Sequence, residues 1–170
     1  MSNSNALVTF PCAGAQVTLD AAAIAALWIA KMKAAPAAQQ TLATPPKIGQ
    51  YWPGQGGIYA GLAAGRDGAP DYHLIVADSA TKDADWEAAK KWAGGLTAEG
   101  HDDFALPSRK EQALLFANVA GLFDPEWYWS GEAYASDAGY AWCQYFLSGD
   151  QDFARFDSKL RARAVRRLTV

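Results

Sequence analysis

The side chains able to carry chemistry in this chain are few, and their spacing serves it poorly. His101, Asp102 and Ser108 supply the residue types of a hydrolytic triad. No nucleophile-elbow sequence presents Ser108, so the three types together read as composition. Cys12, Cys143, His73 and His101 are the types that hold zinc, yet their spacing fits no compact ligand pattern. The glycine-rich "GQGG" at 54–57 lacks the Lys-Ser/Thr and the helix that complete a phosphate loop. It reads as a tight turn between strands. No catalytic residue, metal or cofactor is assigned on these grounds. The strongest charge feature is the set Arg155, Arg161, Arg163, Arg166 and Arg167. Strand alternation separates Arg161, Arg163 and Arg167 from Arg166. Ion pairing with the chain's Asp and Glu is their expected use, with an anionic partner as the second.

Aromatic residues carry more information. The stretch "DPEWYWSGEAY" at 124–134 sets Trp127, Tyr128 and Trp129 in a row. Large aromatic rings stabilise strongly when buried. Trp127, Trp129 and Trp142 recur at period two in strand-like segments, which predicts a core shared with Trp86. Tyr128 and Tyr145 alternate to the opposite side and read as surface residues. Tyrosine is also favoured in binding surfaces.

The elements that must position these residues follow from composition and period. The chain has 170 residues, 51% of them apolar, with seven each of Trp, Tyr and Phe. That is enough for a folded, loop-rich domain with its own core. A net charge of -3 and a pI near 5.3 provide no positive field for nucleic acid or anionic lipid. Two cysteines allow one disulfide, but two free thiols in a reducing cytosol is the commoner state. "MSNSNALVTF" lacks the features of a secretory signal. The apolar run "AAAIAALWIA" at 21–30 is too short to span a bilayer, so membrane insertion is not expected.

"LVTF" (7–10) and "QVTL" (16–19) predict a hairpin, and Asp20 is a fitting N-cap for a helix over "AAAIAALWIAKMKAA". "PAAQQTLATPP" (36–46) reads as a connection. Beyond it, "KIGQYW", "GIYAGLAAG" and "DYHLIVA" predict three strands. A helix is predicted over 81–96, with Trp86, Ala89, Ala93 and Leu96 as its apolar stripe and Gly94-Gly95 as its stop. A second is predicted over 106–123, with Ser108 and Glu111 at capping-box spacing and Leu114, Leu115 and Val119 on its buried face. "WYWSG", "YAWCQYFLSGD", "QDFARFD" and "LRARAVRRLTV" predict further strands, with "SGDQ" as a hairpin turn. In the second of these, Tyr140, Trp142, Gln144 and Phe146 share one face, and Ala141, Cys143, Tyr145 and Leu147 the other.

The pieces "DADWEAAKKWAGGL", "FALPSRKEQALL", "WYWSGEAY", "AWCQYFLSGD" and "ARAVRR" occur in this order over roughly residues 47–170. In this the chain resembles the bacterial and phage family named for the C-terminal domain of the Lcl collagen-like adhesin, which has a C-type-lectin-like fold. The resemblance implies an α+β domain of twisted antiparallel sheets with two helices, preceded here by an N-terminal hairpin and helix. It implies a scaffold whose loops and outer strands bind something. Sugar-binding C-type lectins hold calcium through an Asn-Asp strand, which "WYWSGE" lacks, so calcium-dependent sugar binding is not expected. The paired reactive cysteines of the related formylglycine-generating enzymes are also missing, since Cys143 has no neighbouring cysteine.

The expected organisation is therefore 1–46, packing on the scaffold or holding a homo-oligomer together, and 47–170, the C-type-lectin-like domain. The expected function is a non-enzymatic phage or prophage binding module that recognises a host protein or a surface glycan. Tyr128, Glu132, Tyr134, Asp137, Tyr140, Gln144, Tyr145, Asp152 and Arg155 are the expected contacts, offering aromatic area and adaptable polar groups. The alternative is an intracellular phage effector that inhibits a host enzyme or defence complex. The first reading places the protein in the virion, the second in the host cytoplasm.

Overall fold

A computed structural model of the chain describes residues 7–12, 15–20 and 44–170. The chain divides into two compact units, Met1–Thr44 and Pro45–Val170. In the first, β1 (Leu7–Cys12) and β2 (Ala15–Asp20) form the antiparallel hairpin, with Leu7 opposite Asp20 and Cys12 opposite Ala15. The helix expected after Asp20 lies outside the described residues.

The second unit is α+β. Its strands are β3 (Tyr51–Trp52), β4 (Gly57–Ala63), β5 (Tyr72–Ala84), β6 (Trp127–Ala133), β7 (Tyr140–Tyr145), β8 (Gln151–Arg155) and β9 (Leu160–Thr169). They form a seven-stranded sheet in the order β3-β4-β5-β9-β6-β7-β8. The pairings are antiparallel except β6 with β9, which run parallel and meet at Tyr128 and Arg161. The closing strand thus sits in the middle of the sheet and joins the first three strands to the last three.

Two described helices cover the sheet. The first, α1 (Trp86–Gly94), starts at Asp85, whose carboxylate accepts the Ala88 N–H at 2.8 Å. The expected start at 81 is corrected: Thr81 and Ala84 continue β5 and pair with Ala162 and Leu160 of β9. The β9 ladder offers these residues backbone partners, and Asp85 is the better cap. The second helix, α2 (Arg109–Val119), opens with the predicted capping box. Ser108 Oγ accepts the Glu111 N–H at 3.2 Å, and the Glu111 carboxylate accepts the Ser108 N–H at 2.7 Å. A 3-10 turn, Ala120–Leu122, follows it.

Each helix has its own core on its own side of the sheet. Trp86, Ala89 and Ala93 of α1 pack on Trp129, Ala141, Cys143, Ala162 and Ala164. Alanine facing alanine lets α1 lie close to β9, and the indoles fill the flanks. Trp86 Nε1 donates to Ser130 O at 2.8 Å, and Trp129 Nε1 donates to Ala84 O at 2.9 Å. Both indoles therefore bury their ring without stranding a donor. Leu115 and Val119 of α2 pack on Leu74, Val76, Tyr128, Phe146 and Val165, with Leu114 partly buried beside them. Adjacent residues such as Ala164 and Val165 thus serve opposite cores, as strand alternation requires.

The single tryptophan core predicted from period two needs correction. Trp129 is fully buried and Trp127 packs partly buried beside it, both on the α1 side. Trp142 lies on the other side. Cys143 is the cross-strand partner of Trp129, so its neighbour Trp142 must alternate away. Alternation within each strand was legible; the register between them was not.

Candidate binding face

On one face of β7 and just beyond its end, Phe146 and Gln144 are buried, whereas Trp142 and Tyr140 are only half-buried. Phe146 is stacked on Phe123 with centroids 3.8 Å apart and meets Phe116 edge-on at 6.2 Å. Gln144 is 0% exposed and donates to Gln112 O of α2 at 3.1 Å. The cover then ends at Arg109, the first residue of α2. Its guanidinium carbon lies 3.4 Å from the centroid of the Trp142 ring.

Past Arg109 the face carries a cluster of rings. Tyr134 stacks on Phe153 at 4.3 Å and meets Trp142 edge-on at 5.2 Å. Phe153, opposite Trp142 in the β7–β8 ladder, also meets Trp142 and Tyr140 edge-on, at 5.9 and 5.8 Å. Phe153 is 41% exposed, and Tyr134, Tyr140 and Trp142 are half-buried. A contiguous aromatic patch of this kind is a mark of an interaction surface, whereas single exposed rings are ordinary.

A polar frame holds the cluster in place. Arg109 Nε donates to Gln151 Oε1 at 3.1 Å. Gln151 Nε2 donates in return to Arg109 O at 2.7 Å and to Gln144 Oε1 at 2.9 Å. Gln112 Nε2 donates to Tyr128 O at 2.9 Å. Glu132 Oε1 accepts the Arg109 N–H at 3.2 Å. Three glutamines therefore tie α2 to β6, β7 and β8 beneath the rings and fix the guanidinium over the indole.

The nine expected contact residues divide among three places. Glu132, Tyr134 and Tyr140 stand at the aromatic cluster. Arg155, opposite Tyr140, is exposed beside it and pairs with Asp157 at 3.2 Å, and Asp137 is exposed in the β6–β7 turn. Tyr145 and Asp152 belong to the other side of the sheet: Tyr145 stacks on Trp127 at 5.2 Å, and Asp152 is opposite Cys143. Tyr128 and Gln144 are corrected from surface to interior. Tyr128 is 2% exposed, lies edge-on to Phe123 and Phe146, and accepts the Asp124 N–H on its hydroxyl at 3.1 Å. The two are cross-strand partners beneath α2, which takes the space that alternation alone left open.

Sequence reasoning missed Trp142, Phe153, Arg109 and Gln151 as members of this face. A signal existed in part: "AWCQYFLSGDQDF" places Trp142 and Phe153 in facing strands, but the register depends on the length of the turn between them.

Each arginine of the group has a partner within the domain. Arg155 pairs with Asp157, Arg161 with Asp124, Arg166 with Asp103 and Arg167 with Glu111. Arg163 donates to the Ala77, Asp78 and Leu122 carbonyls. Glu111 is 1% exposed. Burial pushes its carboxyl up, but Arg167, with the Ser108 N–H and the Tyr72 hydroxyl, outweighs that and holds it below its ordinary value. The Tyr72 hydroxyl is pushed up to about 12 by burial and by the Glu111 carboxylate. His73 shares a hydrogen bond with the Tyr59 hydroxyl at 3.0 Å, and burial lowers its pKa. His101 Nε2 is 2.8 Å from Gly54 O, so it pins the "GQGG" turn, whose Gly56 N–H is accepted by Glu99 at 2.9 Å. Cys143 is free and buried, and burial followed by the Asp152 charge pushes its thiol up to about 12. Among the described residues, no group of three His, Cys, Asp or Glu side chains is arranged to hold a metal ion. Among them too, no helix is long and apolar enough to cross a membrane.

No family model matches the chain, and no curated protein matches it.

Proposed function

We propose that Pro45–Val170 is a non-enzymatic binding module of phage or prophage origin, built on a C-type-lectin-like scaffold, and that its partner is a host protein. The observation that carries this reading is the uncovered cluster of Tyr134, Tyr140, Trp142 and Phe153 beyond the end of α2. Trp, Tyr and Arg dominate the energetics of protein interfaces, and a ring cluster held by a rigid polar frame loses little entropy on docking. Glu132, Asp137 and Arg155 supply polar groups around it, and a polar rim about an aromatic centre is the usual anatomy of a transient interface. A surface glycan is the competing ligand for the same face.

The test is retention of host proteins on the immobilised chain, run beside a screen of host surface polysaccharides. One host protein is expected to be retained by the native chain and lost with Phe153→Ser, which stays folded by circular dichroism. Retention that survives both Phe153→Ser and Tyr134→Ser, or binding confined to the polysaccharides, overturns the reading.

A further inference from the structure

A cleft of about 290 Å³ opens between the β4–β5 turn and the first turn of α2, and none of Tyr134, Tyr140, Trp142 and Phe153 lines it. Three cationic side chains line it, Arg66, Lys110 and Arg167, against one carboxylate, Glu111. That carboxylate is already committed. It accepts from Arg167 at 2.7 and 2.6 Å, from the Tyr72 hydroxyl at 2.7 Å and from the Ser108 N–H at 2.7 Å.

The cations keep unused donors. Arg66 has no ion pair among the described residues. Lys110 Nζ gives one hydrogen bond, to Ala64 O at 2.8 Å, and retains two N–H groups. Arg167 spends Nε and Nη2 on Glu111 and the Leu106 carbonyl, which leaves Nη1, and its side chain is 37% exposed. Three of the helix-start amides are already taken. Those of Ser108, Arg109 and Glu111 are taken by Glu111, Glu132 and Ser108. Asp71 is not among the lining residues, and its carboxylate is engaged by the Gly65 N–H at 2.9 Å.

We propose that this cleft binds the phosphate group of a small ligand. A guanidinium fixed by a buried carboxylate is a preorganised anion donor, and a lysine and a second arginine beside it match a tetrahedral dianion better than a flat carboxylate. Ala69, Pro70 and Tyr72 form an apolar wall for the carbon portion. In a chain of net charge -3, a concave cationic spot concentrates anions locally.

The test is an amide-resolved NMR titration of the full chain with inorganic phosphate at constant ionic strength. Saturable shifts are expected at Gly65, Arg66 and Lys110, with half-saturation at about 1–10 mM. Acetate should act at least about fivefold more weakly, and Arg66→Ala with Lys110→Ala should weaken phosphate about tenfold or more. Both substituted residues are exposed, and Arg167 stays in place so that Glu111 keeps its partner. Phenyl phosphate is expected to bind no more weakly than inorganic phosphate. Shifts that stay linear, equal action of acetate, or an unchanged double variant overturn the proposal, and exclusion of phenyl phosphate overturns an organic ligand. None of these outcomes touches the aromatic face, which uses other side chains.

Discussion

Trp129 and Trp142 lie on neighbouring strands of one sheet and lead opposite lives. Trp129 is sealed beneath α1, with its one polar atom bonded to Ala84 O. Trp142 faces away, with Arg109 on one side of the ring and Tyr134 and Phe153 at its edges. Residue type does not separate them; helix reach does. The α1 core extends across Ala141 and Cys143 of β7. On the other face, α2 covers Gln144 and Phe146 and begins only at Arg109, so Trp142 and Tyr140 emerge from under it. An aromatic residue is left partly uncovered here because a helix stops, not because the strand pattern changes.

Truncating the two indoles should break that symmetry most sharply. Trp129→Ala removes a sealed ring and leaves a cavity, with an expected loss of about 3–5 kcal/mol of unfolding free energy. Trp142→Ala should lose no more than about 1.5 kcal/mol, since part of the ring already meets water. Under the proposed function its effect falls on partner binding, where a loss of about tenfold or more is expected. Chemical denaturation measures the first and the retained partner's affinity the second. Equal destabilisation by the two variants would make Trp142 a core residue and remove the distinction.

What could be read beforehand follows the same division. Local signals were faithful: the Ser108–Glu111 box and the alternation of Ala162 and Ala164 against Arg163 and Val165 both reappear. These depend on neighbours within a few residues. Tyr128 and Gln144 went wrong because alternation states which residues share a side, not which side a helix will cover. Phe153 was missed because a five-residue connection between Tyr145 and Gln151 does not dictate its register by itself. The polar frame was equally hidden, since Arg109 and Gln151 meet across 42 positions.

The two faces also differ in what fastens their helix, and acid should sharpen this difference. Against β9, α1 sets alanine on alanine. On the opposite side α2 sets the Glu111–Arg167 pair, and beside it Gln112, whose Oε1 is buried without a partner among the described residues. The Glu111 carboxyl is held below its ordinary value of 4.5 in the folded chain. The unfolded chain therefore takes up this proton first as pH falls. The stabilisation from Glu111 is complete above the ordinary carboxylate range and fades as pH drops through the depressed folded pKa. Glu111→Gln should lose about 2 kcal/mol at neutral pH, a figure reduced for the partial exposure of Arg167, and should show a shallower acid limb. Urea midpoints between neutral pH and pH 3 measure both quantities. An acid limb of native steepness in the variant would place the pH sensitivity elsewhere.

The smallest effect on stability, but an informative one, is expected at the edge of the sheet beside the rings. Among the described residues β8 pairs only with β7 and forms that edge. In the ladder the backbone groups of Asp152 point toward β7 as the partner of Cys143, so those of Phe153 point outward. The Phe153 N–H is not left open: Asp152 Oδ1 accepts it at 2.8 Å. A carboxylate on an outer strand both fills the donor and repels a second edge, at the point where an exposed ring would otherwise favour pairing between copies. Asp152→Ala should change unfolding free energy by less than about 0.5 kcal/mol. It should nevertheless promote concentration-dependent dimers in sedimentation velocity and speed amide exchange at Phe153. Asp152→Asn, which keeps an acceptor oxygen without the charge, should retain slow exchange while losing part of the repulsion. If the alanine variant sediments as the native chain does, with Phe153 exchange unchanged, the edge is guarded by the ring cluster and not by this carboxylate.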